Sequence, residues 1–243
     1  RSDEFKTTLH ARNQETVAEM AFDADGKILA LRSETLANVG GYLINPGMFI
    51  PLRLSPSVIT SMYHIPEVYM NTRCVMTNTA PLGAFRGAGR PEGIYLTERL
   101  MDQAGREIGL DPSELRRRNM VKPEQMPYIT PMEESVDSGQ FEKVMDAALR
   151  QSDWSGFDER REMSRESGKL RGRGIGCYIE WTGSELNETV TIVADSSGSI
   201  TLYSGTQPMG QGIATSYLQI LSEQLQLPVD QLNLIQGDTD LVE

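Results

Sequence analysis

Two glycine-rich segments constrain the fold of this chain more than any other feature of its sequence. The first is Gly83–Glu92 (GAFRGAGRPE) and the second is Gly205–Gly212 (GTQPMGQG), and each runs into a stretch with helical spacing. Glycine permits positive φ and leaves the amides at a helix N-terminus open to anionic or polar ligand atoms. Because one loop carries Arg86 and the other Gln211, the pair predicts a large cofactor held from two sides.

The spacing within the first loop argues against a nicotinamide-dinucleotide fold. The run Gly87–Gly89 is followed by Glu92 where the dinucleotide fingerprint requires a third glycine. Taken alone, each loop also has a plainer explanation. The first is then a turn with Arg86 paired to a surface carboxylate, and the second a connection with Gln211 satisfied by backbone groups. Both alternatives stay open at this point.

The acidic balance of the chain narrows its partners. A formal net charge of −11 disfavours general affinity for nucleic acid or anionic membranes, because neutralising phosphates requires a surplus of Lys and Arg. No apolar run has the length of a membrane span, and the N-terminal residues lack a signal-peptide pattern. Only Cys74 and Cys177 are present, which is typical of a reducing compartment. We therefore predict a cytoplasmic protein whose partners are small molecules or proteins.

Histidine is scarce, and this limits the chemistry that side chains alone provide. His10 and His64 are the only two, and neither lies near a cysteine or carboxylate at metal-ligand spacing. We predict no metal ligated by protein side chains. A Ser-His or Cys-His nucleophilic centre is equally disfavoured, since its base would be one of these two histidines.

Hydrophobic periodicity and turn signals predict alternating strands and helices. Residues 5–37 read as two strands around the turn Asp23–Gly26. Asp111 and Glu114 form a capping-box pattern that opens a helix. The predicted elements are strands over 5–37, a short helix capped by Ser55, extended chain over 63–77, helices over 91–108 (ended by Gly109), 111–118, 141–149 and 158–169, strands over 175–180, 189–195 and 200–204, a helix over 213–225 and a strand over 232–235.

These elements predict an α+β fold, with mixed sheets and packed helices. Three prolines between residues 122 and 139 mark that stretch as a linker. We therefore expect two subdomains, 1–125 and 126–243. Nothing before Phe5 resembles a domain start, and the chain stops soon after its last predicted strand, so we also expect an internal piece of a longer polypeptide.

Four segments together resemble a known family. They are Ala84–Glu92 (AFRGAGRPE), Leu110–Met120 (LDPSELRRRNM), Gly205–Gly212 (GTQPMGQG) and Gly237–Asp240 (GDTD). In residues, order and separation they are similar to the large, molybdopterin-binding subunit of molybdenum hydroxylases, the group of xanthine dehydrogenase and aerobic carbon monoxide dehydrogenase. The resemblance extends over the whole chain.

The resemblance implies a molybdenum held by the dithiolene of a pterin, often a cytosine dinucleotide in bacteria. No protein ligand to the metal is then needed, which agrees with the scarcity of histidine. In this family a glutamate deprotonates a hydroxide on the molybdenum, which attacks an electron-poor carbon, and hydride passes to a sulfido ligand. Electrons leave through iron–sulfur and FAD centres on partner subunits or domains.

The resemblance also implies site residues on both loops. One set lies beside the molybdenum, with Arg86 as the catalytic residue, and the other contacts the cofactor from a second side. The residues so assigned are Phe85, Arg86 and Gly87 on the first loop and Gly210, Gln211 and Gly212 on the second.

Departures from the family pattern limit the expected substrate and activity. Ala88 stands where purine-oxidising members carry a Phe, and the loop lacks the Cys-Ser-Phe-Arg sequence of carbon monoxide enzymes. The Gly-Phe-Gly-Gly-Lys segment and the element bearing the glutamate base are missing from the sequence. We therefore expect a parent enzyme that oxidises an aldehyde or heterocycle, and a fragment inactive in isolation. The alternative is a non-catalytic cofactor-binding or assembly module.

Overall fold

The computed structural model describes residues 2–3, 8–180 and 189–242. By its internal contacts the chain divides into two compact units, Arg1–Glu180 and Trp181–Glu243. The elements of the first unit are β1 (Gln14–Phe22), β2 (Ile28–Gly40), α1 (Ser55–Ser57), β3 (Glu67–Met76), α2 (Arg90–Ile108), α3 (Pro112–Asn119), β4 (Tyr128–Ile129), β5 (Ser135–Val136), α4 (Phe141–Gln151) and α5 (Phe157–Glu166). Those of the second are β6 (Val190–Ala194), β7 (Ile200–Ser204), α6 (Ile213–Leu225) and β8 (Leu232–Gln236).

The main sheet of the first unit has the order β1-β2-β3. β1 and β2 form the predicted hairpin, and its turn is held by Asp23, whose Oδ1 accepts the amides of Asp25 and Lys27 at 2.9 and 2.8 Å. β3 pairs with β2 in parallel and therefore needs a crossover, which passes through α1. The predicted strands over residues 5–37 begin with residues 5–7, and these lie outside the described residues.

The helices after the first glycine loop begin and end as the sequence predicts. Pro91 lies in the first turn of α2, and Gly109 ends that helix with a left-handed φ of 76°. Asp111 caps α3, since its Oδ1 accepts the amide of Ser113 at 2.8 Å. Only this half of the capping box forms, because the Glu114 carboxylate instead accepts from Arg118 Nε at 3.0 Å.

Two local predictions are wrong. Ser55 makes no capping hydrogen bond, because a π-helical turn over Ile50–Leu54 runs directly into α1 and leaves no free helix N-terminus there. Residues 175–180 form no strand, because the Ile175 carbonyl and the Cys177 amide bond to side chains of α3 and α2 and not to another strand.

The stretch predicted as a linker is part of the first unit. Residues 122–139 contain a 3₁₀ turn, Pro123–Gln125, and the two-stranded ladder of β4 and β5. Val136 is buried, and the hydroxyl of Tyr128 donates to the Ile65 carbonyl at 3.4 Å. The boundary between subdomains at residues 125 and 126 stays a prediction.

The core of the first unit combines an apolar cluster with a buried ionic network. The buried members of the apolar cluster are Ile28, Leu31, Ile59, Met62, Tyr63, Ile65, Met101, Ala104, Leu115, Met120 and Met145. Arg116 is fully buried beside them and donates from Nε to Glu98 Oε2 at 2.9 Å and from Nη2 to Asp102 Oδ1 at 2.8 Å. The Tyr63 hydroxyl donates to Glu98 Oε1 at 2.6 Å. Burial lowers the pKa of Arg116, but Glu98, Tyr63 and Asp102 together outweigh it, so the net direction is upward and the guanidinium stays charged.

Cys177 packs against this network, and the pKa of its thiol is raised. Its amide donates to Glu98 Oε2 at 2.9 Å and its carbonyl accepts from the Ser61 hydroxyl at 3.2 Å. Burial, followed by the charge of Glu98, raises the pKa of the Cys177 thiol to about 11. The backbone of Cys177 is thus fixed to the side chains of Glu98 and Ser61, and its thiol stays protonated near neutral pH.

The thiol gives the first unit a specific alkaline sensitivity. Folding raises the pKa of this thiol, so the folded protein holds the proton more tightly than the unfolded chain does. The resulting contribution to the free energy of unfolding is complete below the ordinary pKa of 9.0 and is lost as pH rises toward 11. Between pH 9 and pH 11 we expect the free energy of unfolding to fall by about 2–3 kcal/mol more in the wild type than in Cys177→Ala. Urea titrations at pH 8, 9, 10 and 11 measure this difference. The same pH dependence of the unfolding free energy in both proteins would contradict the role of the Cys177 thiol.

The second unit is a small sheet with one helix. Its strands have the order β6-β7-β8, with β6 antiparallel and β8 parallel to β7, and α6 connects the parallel pair. The buried residues Leu202, Leu221 and Leu232 form its core. The predicted strands and helix are confirmed here, as is the α+β class with mixed sheets for the whole chain. Among the described residues, no helix has the length and apolarity to cross a membrane.

Candidate functional site

The first glycine loop is a left-handed turn that ends in the N-terminus of α2. Gly87, Ala88 and Gly89 follow one another with φ of 94°, 37° and 91°. Gly89 is the N-cap of α2, and a Cβ at this position would lie 2.7 Å from the carbonyl oxygen of Ile50 and 2.9 Å from the amide nitrogen of Ser55. Glycine is therefore required at position 89 by both backbone conformation and space.

The loop presents its predicted site residues to solvent. Phe85 is 61% exposed, and Arg86 is exposed as well. In the described part of the chain, the Arg86 guanidinium has no hydrogen bond or ion pair, so the alternative of a surface carboxylate partner is not observed. The amides of Arg86 and Gly87 likewise donate to no backbone acceptor within the described ranges. A guanidinium and two amide donors are therefore available to a ligand.

Sequence reasoning missed one residue of this site, Arg12. Its Nη2 donates to the carbonyl of Arg86 at 2.6 Å, and its guanidinium carbon lies 4.8 Å from the centre of the Phe85 ring. Arg12 also borders a cleft of about 630 Å³ between β1 and α2, whose other lining residues include Gln14, Thr16, Glu92, Tyr95 and Arg99. No local motif marks Arg12, because its partners are more than seventy positions later.

The second glycine loop caps α6 in the same manner. Gly210 and Gly212 have φ of 92° and 78°, Gly212 is the N-cap, and a Cβ at either position would meet no atom within 4 Å. The side-chain amide of Gln211 is turned into its own loop: it accepts from the Met209 amide, and its Nε2 donates to the Gln207 carbonyl at 3.0 Å. The alternative of a Gln satisfied by backbone is thus observed, on an exposed rather than a buried side chain.

The donors on the second loop are backbone amides. Within the described residues, the amides of 210–215 donate to no backbone acceptor, and residues 210–212 are exposed. Consecutive free amides at a helix N-terminus suit an anionic group such as a phosphate. Taken by itself, this donor set fits an anionic group of the pterin cofactor that the resemblance implies, and so, separately, does the guanidinium of Arg86 on the first loop.

The histidines have structural partners instead of ligand geometry. His10 contacts the carbonyl oxygens of Ala80 and Asn38 through its two ring nitrogens, at 2.6 and 3.3 Å. His64 stacks on Tyr128 with ring centres 5.2 Å apart. Within the described ranges, no three side chains of His, Cys, Asp or Glu are grouped to hold a metal ion.

The two loops lie in segments that match known cofactor-binding domains. Models of the molybdopterin cofactor-binding domain match residues 1–120 and 147–243. The chain belongs to the molybdopterin cofactor-binding family. The first match contains the loop with Phe85, Arg86 and Gly87, and the second contains Gly210–Gly212.

Relatives of known name confirm the predicted group. The chain is 32% identical to the 6-hydroxypseudooxynicotine dehydrogenase complex subunit gamma of Paenarthrobacter nicotinovorans, over 100% of this chain and 31% of that protein. It is 29% identical to the carbon monoxide dehydrogenase large chain of Afipia carboxidovorans, over 99% of this chain and 32% of that one. The crystal structure of quinoline 2-oxidoreductase from Pseudomonas putida 86 matches with a TM-score of 0.91 and 29% identity, over 97% and 32% of the two chains. The chain thus spans about a third of the length of these relatives.

Proposed function

We propose that this chain is part of the molybdopterin-binding subunit of an oxidoreductase that oxidises an aldehyde or a heterocycle with oxygen derived from water. The observation that carries the proposal is the open amide cradle in each matched domain. One cradle is formed by the amides of Arg86 and Gly87 where the left-handed turn begins, and the other is the α6 N-terminus at Gly210–Gly212. Both present donors that no described residue uses.

The residues of this chain have distinct tasks in the proposed enzyme. The molybdenum pterin, when bound, supplies the two-electron redox chemistry. Gly87 holds the left-handed turn, because Pro91 fills the space that a side chain would need, and among the described residues it leaves its amide free for a ligand. The Phe85 ring of the same loop is exposed. Arg86 supplies a positive charge next to the reacting group, where it would stabilise developing negative charge. The cradle at Gly210–Gly212 would bind anionic oxygens of the cofactor through backbone amides.

The proposed substrate class rests on the first loop and on the relatives. Ala88 leaves the loop without the Phe of purine-oxidising members, so a large aromatic clamp is not provided there. Relatives named for a nicotine derivative and for quinoline favour an aromatic nitrogen heterocycle within the proposed class. We further propose a pterin in cytosine dinucleotide form, iron–sulfur and FAD subunits as partners, and a cytoplasmic location.

Cofactor binding by the second cradle is tested with an aspartate substitution. Gly210→Asp places a carboxylate among the free amides, so we expect the dissociation constant for released molybdopterin to rise about tenfold or more. Gly198→Asp is the matched control, because Gly198 has a φ of 87° and similar open space in the β6–β7 turn. Pterin fluorescence titration of cofactor-free protein measures both. Equal affinity of the two variants would contradict the proposed cradle.

Turnover is tested on the complete enzyme complex. With quinoline as substrate and an artificial electron acceptor in ¹⁸O-labelled water, we expect a product that carries the label. Cofactor binding without turnover on heterocycles and aldehydes would instead support the non-catalytic module.

A further inference from the structure

We propose that Arg12 is a positioning residue that fixes the backbone of Phe85–Gly87 in the form that receives the cofactor. This inference rests on the proposed function for the meaning of the loop, while the contacts that carry it belong to the first unit alone. Arg12 lies just before β1 and therefore reaches the loop from a different part of the chain.

The first contact fixes the loop backbone. Arg12 Nη2 donates to the Arg86 carbonyl at 2.6 Å, a charge-assisted hydrogen bond. The acceptor is the backbone of Arg86 and not its side chain. The guanidinium of Arg86 therefore remains available to a ligand while its main chain is held.

The second and third contacts fix the two ends of the same turn. The Arg12 guanidinium stacks on Phe85 at 4.8 Å from the ring centre, within the range of a cation–π interaction. On the other side, Arg12 Nε lies 4.0 Å from Glu92 Oε2 in the first turn of α2. The Glu92 side chain is only 8% exposed, and this oxygen has no hydrogen-bond partner among the described residues. Arg12 thus bridges the residue before the left-handed run and the helix after it.

The backbone of Arg12 is arranged for this task at an energetic cost. Arg12 has a left-handed φ of 63°, which is uncommon for a residue with a long side chain. The chain is held on both sides of it: the Gly83 amide donates to the His10 carbonyl at 2.9 Å, and the Asn38 amide donates to the Asn13 carbonyl at 3.0 Å. A strained residue between two fixed points is consistent with a required side-chain position.

Arg12→Asn is the variant that isolates the side chain, because asparagine tolerates positive φ better than most residues. Arg32→Asn is the matched control: Arg32 also faces an aromatic ring, Tyr69 at 5.9 Å, and pairs with Glu34 at 2.7 Å, but it lies in β2 away from the loop. Arg12→Lys keeps the charge without the planar fork, so we expect an intermediate effect.

Two readouts on cofactor-free protein test the inference. The first is the rate of tryptic cleavage after Arg86, divided by the rate after the exposed Arg165 of the same sample. We expect this ratio to rise about tenfold in Arg12→Asn and to stay within about twofold of wild type in Arg32→Asn. The second is the affinity for released molybdopterin, which we expect to fall about tenfold in Arg12→Asn only.

The outcomes separate this inference from the proposed function. A wild-type protein that is folded but does not bind molybdopterin contradicts the proposed function, while the proteolysis ratio still tests Arg12. An unchanged ratio in Arg12→Asn contradicts the positioning role, whatever the pterin affinity. A raised ratio with unchanged affinity also overturns the inference, because the loop would then be held for a reason other than cofactor binding.

Discussion

Replacing Arg116 with methionine is expected to lower the free energy of unfolding by about 3–5 kcal/mol, because it removes the cation between two carboxylates in a buried site. Arg116 is inaccessible to solvent and contacts both Glu98 and Asp102. Methionine fills similar volume, so the loss arises from uncompensated charge and not from a cavity. Small domains have only about 5–15 kcal/mol of stability in total, so this is a large share.

The measurement is urea unfolding followed by circular dichroism, with Arg117→Met as the control. Arg117 lies in the same helix but on its outer side, where it pairs with Asp146 at 2.5 Å and Glu142 at 3.5 Å. These side chains are partly exposed, and ion pairs that solvent screens contribute little, so we expect a loss of less than about 1 kcal/mol for the control. Equal losses in the two variants would show that the buried network is not a special source of stability.

A second substitution identifies the cause of the loss. Adding Glu98→Gln to Arg116→Met removes one of the two unpaired charges, so we expect part of the stability to return. The recovery is limited, because Glu98 also accepts from the Tyr63 hydroxyl and the Cys177 amide. A double variant less stable than Arg116→Met would indicate that the hydrogen bonds from the Tyr63 hydroxyl and the Cys177 amide, and not the charge balance, dominate the site.

The network also explains why one predicted strand does not form. The Ile175 carbonyl accepts from Arg116 Nη2 at 3.1 Å, and the Cys177 amide donates to Glu98. These backbone groups would otherwise need a neighbouring strand. Because side chains of α2 and α3 satisfy them, the segment packs on these helices without pairing to a strand.

Local patterns were sufficient to predict most elements of the fold. The Asp23 turn, the Pro91 and Gly109 limits of α2 and the Asp111 cap all depend on residues within a few positions of one another. Both glycine loops were predictable for the same reason, since positive φ at a helix start favours glycine irrespective of the rest of the chain.

Contacts between distant residues were not predictable from these patterns. Three consecutive arginines at 116–118 look equivalent in the sequence, yet only Arg116 faces α2 and is fully buried. Arg12 touches the first glycine loop only because the fold brings the start of β1 beside it. Such roles depend on tertiary packing, and a single sequence carries no local signal for them.

Gly89→Ala is expected to lower the free energy of unfolding by about 3 kcal/mol and to abolish measurable molybdopterin binding by the cofactor-free protein. Two costs add at this position. The left-handed φ of 91° disfavours any Cβ, and the new methyl would overlap the Ile50 carbonyl and the Ser55 amide, at 2.7 and 2.9 Å. Relief of the overlap requires the loop to move away from the turn at Ile50–Leu54, which displaces Phe85–Gly87 as well.

Gly109→Ala separates the two costs, because Gly109 ends the same helix with a φ of 76° and a Cβ there would meet no atom within 4 Å. We expect this variant to lose about 1–2 kcal/mol from backbone strain alone and to keep wild-type pterin affinity. Urea unfolding and pterin fluorescence titration measure the pair. If Gly89→Ala were no less stable than Gly109→Ala, the overlap of the new methyl with the Ile50 carbonyl and the Ser55 amide would not be a source of instability. If it were unstable but still bound molybdopterin with wild-type affinity, the first loop would be a structural turn and the cofactor site would lie elsewhere.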